Sequence, residues 1–527
     1  MNIPQIPLRQ IRRAVLTVAA QALLMLCASQ ALYAQTQESS ASPQTLTPSA
    51  ARMLDDIRHL ADPLLNGRQT GTADDLHSAL WVADRFRDLG LQPAAPNALH
   101  AGVRNSWVSP IPTTVFSIGP HVTLATIARS AVTPHRVGTD FVPLLDSPSV
   151  DLTAGVTFVG YGISDPERGY DEYARVDVTD RVVLFLRGKP SGYEGAASHA
   201  QKIRWARAHG AVAALTVVGP HLSAYEARRG VGTTPLAYIG HAGNEMATAE
   251  HERLPAAWIS VETADLLLKQ GTHSDGAADA QSLADLQERL TTTHQPHSRV
   301  LTTEVRLQWD QRSSVGTLHN VVGWLPGQHS AGGTNDVIVV GAHRDHFGRQ
   351  AGLLFPGADD NASGTAVMLE VARLLASAPT PLPRGVLFVS FSGEEQGLLG
   401  STDYVRHPAF PLADTKAMVN IDHAGIGNGR LTIGVTGLPR ELAARVAEAG
   451  GLGAQADLFG FFPGGDHVPF HEAKVPTVTI VSGGPHPHYH QATDTIETIQ
   501  PDVLERIAHY VYALVVELAR GHEGAAQ

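Results

Sequence analysis

Five short stretches within residues 343–490 concentrate imidazoles and carboxylates: His343-Arg344-Asp345, Asp359-Asp360, Glu394-Glu395, Asp422-His423 and His486-Pro487-His488-Tyr489-His490. Imidazole and carboxylate oxygen together suit a hard or borderline divalent cation. Each stretch has a plain reading when taken alone. A His-x-Asp pair can be a surface pair, two acids before a helix can cap it, and adjacent glutamates are commonly solvated. Their order, and the apolar run that leads into most of them, favours the joint reading as a metal site. The chain has 26 histidines and one cysteine, so any metal site must use His, Asp and Glu. A disulfide framework, a CxxC zinc site and an iron–sulfur cluster are excluded. His471-Glu472 lacks the second histidine of the helical zincin motif, and no Gly-x-Ser-x-Gly elbow marks a serine hydrolase.

Four apolar runs must position these residues: 336–343, 385–392, 417–422 and 475–482. Each reads as a buried parallel strand, and helical patterns such as 363–377 and 439–449 separate them. An open α/β sheet binds ligands beyond the carboxyl ends of its strands, where the first three runs deliver His343, Glu394-Glu395 and Asp422, and the fourth leads on to His490. Upstream, 50–61 and 73–89 carry helical spacing, the second closed by Gly90. From 115 to 298 the texture becomes short β-runs with turns: 156–163, 181–188 and 211–218, with a helix around 197–209. This predicts a separate β-rich domain.

The N-terminus reads as a secretory signal. Arg9, Arg12 and Arg13 precede an apolar run from Ala14 to Ala28, shorter than the roughly 20 residues of a membrane span. Small residues at Ala31 and Ala34 predict cleavage near Ala34, which removes Cys27, the single cysteine. A secreted or periplasmic protein without a stable membrane span is expected. Residues 35–50 are polar and low in complexity, a disordered leader. The formal charge of −12, with scattered arginines and no basic run, argues against nucleic acid as a partner.

The motifs GAHRDHFG, PGADDNASGTAVMLE, FVSFSGEEQGLLGS, VNIDHAG, GGDHVPF and YHQATDT together resemble the M28 family of co-catalytic dizinc peptidases. The resemblance covers about 300–520. FVGYGI, YDEYARVDVTDRVVLFLRGKP, AHGAVAALTVV and LPAAWISVETADLLL resemble a protease-associated domain. The implied fold is α/β, a mostly parallel central sheet flanked by helices of the zinc-exopeptidase kind, with that β-rich domain inserted. The implied organisation is a signal at 1–34, the leader at 35–50, the first part of the peptidase domain at 51–114, the insert at 115–298 and the catalytic domain at 299–527.

By position, the resemblance implies that His343 and Asp422 hold one zinc, Glu395 and His490 the other, and Asp360 bridges both. Cobalt or manganese could substitute. Glu394 becomes the general base, Asp345 sets the tautomer of His343, and the Tyr489 hydroxyl stabilises the oxyanion. His423, His467, His486 and His488 are further imidazoles near the site without an assigned role. The implied activity is aminopeptidase action on peptides. A carboxypeptidase or dipeptidase is the alternative; Arg344 and Arg349 are its candidate carboxylate clamps. A glutaminyl-cyclase-like enzyme and a non-enzymatic receptor are disfavoured because all five ligand positions and Glu394 are present.

Overall fold

The structure is a computed structural model of the full chain, and it describes residues 47–96, 106–222, 234–239, 253–270, 281–328 and 336–521. The expected signal peptide, and all of the expected leader but its last four residues, lie outside the described residues. Helix Ala50–Leu60 begins inside the expected leader. Ser49 caps it, and its Met53, Ile57 and Leu60 recur on one buried face.

A nine-stranded mixed sheet forms the scaffold. Its centre is four parallel strands in the order Gly385–Phe391, Val337–His343, Thr415–Ile421, Thr477–Ser482. These match the four apolar runs to within two residues. Antiparallel strands extend both sides: Gln311–Leu325 beside Gly385–Phe391, and Leu431–Thr436 beside Thr477–Ser482. Side chains alternate between the two faces. Ile338, Val340, Val386, Phe388, Val419 and Ile480 face a core built with helices Ala50–Leu60, Ala73–Asp88, Gly364–Ala376 and Pro501–Arg520. Val339, Leu387, Val389, Phe391 and Met418 face a second core with Tyr404 and Phe470. Residues buried on both faces explain why these strands are continuous apolar runs.

Register aligns the strand ends. His343 pairs with Phe391, and Gly341 with Asn420. His343, Ser392 and Asp422 therefore emerge along one edge of the sheet, and the turns beyond them face each other.

Residues 123–309 supply a second, eight-stranded sheet. It includes Val150–Phe158, Val182–Leu186, Ala213–Val217 and Ala256–Ile259, with its own apolar core around Phe158, Leu184, Leu215 and Ile259. Both boundaries of the expected 115–298 part differ: residues 115–118 end strand Val108–Ile118, which pairs with Gln311–Leu325 in the first sheet. Strand Arg299–Trp309 was placed in the catalytic part by the cut at 298, but it pairs with Val150–Phe158 and Thr123–Ala128 in the second sheet. Its alternating Leu301, Val305 and Leu307 face that sheet's core, so it belongs to the second sheet and not to the scaffold. The crossing back to the first sheet is the tight step from Trp309 to Gln311.

Candidate metal centre

His343 is the last residue of its strand, and its ring is turned inward. Nε2 lies 3.4 Å from Oδ1 of Asp360 and 3.4 Å from Oδ1 of Asp422. On the other side of Asp360, Nε2 of His490 lies 3.2 Å from Oδ2 of Asp360 and 3.4 Å from Oε2 of Glu395. A cation held tetrahedrally at about 2.0–2.1 Å separates its ligand atoms by roughly 3.3 Å. The donor atoms of both groups stand at or near that spacing, at the long end of the hydrogen-bond range or just beyond it. Oδ1 of Asp422 is buried and meets no hydrogen-bond donor in bonding geometry. The five residues expected as ligands are brought together with Asp360 in the middle, and their imidazole and carboxylate donors suit a divalent cation.

The electrostatics point the same way. Burial and the neighbouring Asp360 and Glu394 push the Glu395 carboxyl well above its usual range. Burial, reinforced by Asp422, Asp466 and Asp360 and opposed by His343, pushes Glu394 up to about 8. Burial disfavours charge on His343, yet Glu394, Asp422 and Asp360 hold it well above the ordinary imidazole value. Crowded carboxyls that raise one another in this way call for positive charge among them.

Spacing also separates supports from ligands. Nδ1 of His346 is 2.7 Å from Oε1 of Glu395, a hydrogen bond, and burial holds His346 well below the usual imidazole value, so the ring stays neutral and donates. Nδ1 of His486 is 2.6 Å from Oδ2 of Asp359, whose Oδ1 accepts from the backbone of Gly425 and Ile426 at 2.7 and 3.0 Å. Asp359 thus ties the loop after Asp422 to the loop that carries Asp360. Asp494 accepts from the backbone N–H of Asp359 and Asp360 at 2.8 and 3.0 Å. Asp345 takes the Thr70 hydroxyl at 2.7 Å and the backbone N–H groups of Glu394 and Glu395 at 3.3 and 3.4 Å. Its Oδ1 is 3.8 Å from Nδ1 of His343, while its own carbonyl is nearer at 3.3 Å. The carboxylate therefore orients the Glu394–Glu395 turn at least as directly as it orients His343.

Glu394 lies at the rim of the centre, its Oε2 3.9 Å from Nε2 of His343. The Tyr489 ring stacks on His490 at 3.7 Å between centroids and leans on His423 at 5.3 Å, lining the same cleft. His423 stands 3.7 Å from Asp360, and Asp360, Asp422 and Asp359 raise it to about 10 against the effect of burial. His467 bonds the Phe462 carbonyl at 2.7 Å, and His488 bonds Thr493 at 2.9 Å in an exposed turn. Neither turns toward the ligands. Arg344 is fully buried and ion-pairs with Asp75 at 2.7 Å, and Arg349 donates to Asn66 at 2.9 Å. Neither arginine is set as a carboxylate clamp.

Several supports escape sequence reasoning. Arg68, fully buried, donates to the carbonyls of Arg344, Pro356 and Gly357 at 2.6, 2.7 and 2.8 Å, binding the first site strand to the Asp360 loop. Asp75, Thr70 and Ala237 are likewise remote in sequence. A polar or charged residue on the inner face of the leading segment is the only signal that could have flagged Arg68 and Asp75.

Residues 320–515 match peptidase family M28. The chain is similar to M28 peptidases over that stretch. Over 200 residues it is 34% identical to aminopeptidase YwaD of Bacillus subtilis (strain 168), covering 35% of this chain and 42% of that protein. The chain thus spans about two fifths of that curated relative's length. In structure, it is similar to an aminopeptidase from Aneurinibacillus sp. strain AM-1, with TM-score 0.60 and 20% identity over 89% of this chain and 94% of that one. It is also similar to BSAP, a zinc aminopeptidase from Bacillus subtilis, with TM-score 0.57 and 23% identity over 90% and 96%. Both likenesses show a shared fold that includes the second sheet's share of the chain.

Proposed function

We propose that the chain is a secreted, two-zinc aminopeptidase that removes N-terminal residues from peptides. The observation that carries this reading is the pair of ligand groups sharing Asp360, at tetrahedral spacing, with Glu394 beside them. His343, Asp360 and Asp422 would hold one ion and Asp360, Glu395 and His490 the other. Zinc bound there supplies Lewis acidity and lowers the pKa of a bound water toward about 7.

The remaining work falls to the chain's own residues. Glu394 takes the proton of the attacking water at its carboxylate and hands it to the departing amine. Asp345 and His346 hold Glu394 and Glu395 in place. Tyr489, at the cleft wall, presents its hydroxyl to the developing oxyanion. Beside the cleft, His423 and Tyr489 open into a cavity of about 560 Å³ lined by Phe459, Phe461, Phe462 and Val481. Its apolar walls suit a large apolar side chain on the residue removed. Residues 123–309 act as an inserted domain beside this cleft, and the N-terminal segment directs export with cleavage near Ala34.

A leucyl anilide with a free amine, compared with its N-acetyl and C-amidated peptide counterparts, tests the reading. Turnover of free-amine and C-amidated substrates is expected. Cleavage of N-blocked but not C-amidated peptides overturns it in favour of a carboxypeptidase.

A further inference from the structure

His490 is anchored from an unexpected direction. Its Nδ1 lies 2.9 Å from the carbonyl of Ala237, and the Ala237 N–H donates to the His490 carbonyl at 2.9 Å. Ala237 belongs to the segment 234–239, which lies between strands Ala213–Val217 and Ala256–Ile259 of the second sheet. The same two segments are clasped again where Gln491 Nε2 donates to Thr234 Oγ1 at 2.9 Å. On its other side the segment is fixed to the second sheet by Leu145 N–H donating to the Tyr238 carbonyl at 2.9 Å. Ala237 itself is fully buried in a small apolar cluster with Leu145, Ile239, Phe347 and Phe355, which joins the insert to the scaffold loops.

Two properties of His490 make this anchorage consequential. First, a ring with Nδ1–H donated to a carbonyl must carry its free lone pair on Nε2, the atom that faces Asp360 and Glu395. Second, His490 sits at φ 56°, the left-handed region that a non-glycine residue holds only where its surroundings impose it. The Ala237 N–H on the His490 carbonyl, together with the ring's bond to the Ala237 carbonyl, supplies that imposition. Tyr238 and Ile239 line the cleft next to Glu394 and Glu395, so the same segment also forms one of its walls.

We propose that the second sheet is a positioning element of the metal centre: through the backbone of Ala237 it sets the tautomer and backbone conformation of His490. The inference rests on the two-metal reading above. It assigns the insert more than the covering of a cleft.

Zinc titrations of the stripped full-length chain against a chromogenic chelator test it, with thermal unfolding measured in parallel. Wild type is expected to bind two equivalents, and His490→Ala identifies the equivalent that depends on His490. Ala237→Pro, which deletes the N–H donor and displaces the carbonyl, is expected to weaken that equivalent about 10–100-fold and leave the other unchanged. Because Ala237→Pro could fail to fold, Thr234→Val removes only the outer clasp and leaves Gln491 its bond to the Pro487 carbonyl; a several-fold weakening of the same equivalent is expected. A merely structural role would lower the unfolding temperature without separating the two equivalents. Two zinc ions bound by the variants with wild-type affinity overturn the positioning role alone. A wild-type chain that binds no zinc overturns the two-metal reading, and the inference with it.

Discussion

His346 donates Nδ1–H to Oε1 of Glu395 at 2.7 Å, leaving Oε2 of that carboxylate to face His490. One imidazole thereby decides which oxygen of Glu395 faces the proposed metal site. His346→Ala should weaken zinc binding at that site about 10–100-fold. His346→Asn, whose amide reaches a position close to Nδ1, should recover part of the loss. Chelator competition reads both, and equal affinities for Ala and wild type would contradict the role.

Arg344 and Asp75 form a pair without solvent access. The guanidinium also donates to Ser78 Oγ and to the carbonyls of Ser390 and Phe391. Removing one partner strands the other charge in the interior, at a cost of about 3–5 kcal/mol. Arg344→Met should therefore lower the unfolding midpoint sharply, and Arg344→Met with Asp75→Leu should recover much of it. Chemical denaturation of the three proteins measures this. A single variant as stable as wild type would refute the pair's structural role.

Proton release should accompany metal uptake. Without metal, Glu395 and His343 are both held well above their ordinary values, which favours their protonated forms. Zinc requires its ligands deprotonated, so the metal-free chain binds more protons than the loaded one. Affinity must then rise with pH as these ligands lose their protons, because each proton lost before binding is one that zinc need not displace. Calorimetry in buffers of different ionisation enthalpy should give a net release of at least one proton. A buffer-independent heat would contradict it.

Glu394→Gln separates proton transfer from metal binding. The amide cannot accept the water's proton, so kcat should fall by about 10²–10⁴. Zinc content should stay near two ions per chain, since Glu394 stands outside both ligand groups. Near-normal turnover in the variant would refute the general-base role.

Most of the scaffold was legible because it is local. Four apolar runs, each buried on both faces, announced the parallel strands; of the residues expected as ligands, His343, Glu395 and Asp422 stand at or just beyond strand ends, whereas Asp360 lies in the turn before helix Gly364–Ala376 and His490 in the loop well after Ser482. The supports were not legible, for a physical reason. Arg68 binds carbonyls of residues 344–357, Thr70 bonds Asp345, and Ala237 bonds His490, and no periodicity reports a partner hundreds of residues away. His346 and Asp359 sat inside recognised motifs, yet only geometry distinguishes a hydrogen bond at 2.6–2.7 Å from ligand atoms held at 3.2–3.4 Å. The end of the second sheet was missed because Arg299–Trp309 and Gln311–Leu325 read as one alternating stretch, divided between two sheets at Asp310.

The central claim is that His343, Asp360, Glu395, Asp422 and His490 hold two ions that serve removal of an N-terminal residue. Its most direct test titrates zinc into the stripped full-length chain while following hydrolysis of a free-amine leucyl anilide. The account predicts no turnover without metal, saturation of binding at two zinc ions per chain, and activity that is complete once both sites are filled. Full turnover in the metal-free chain, or binding that saturates with none of the five residues required, would contradict it.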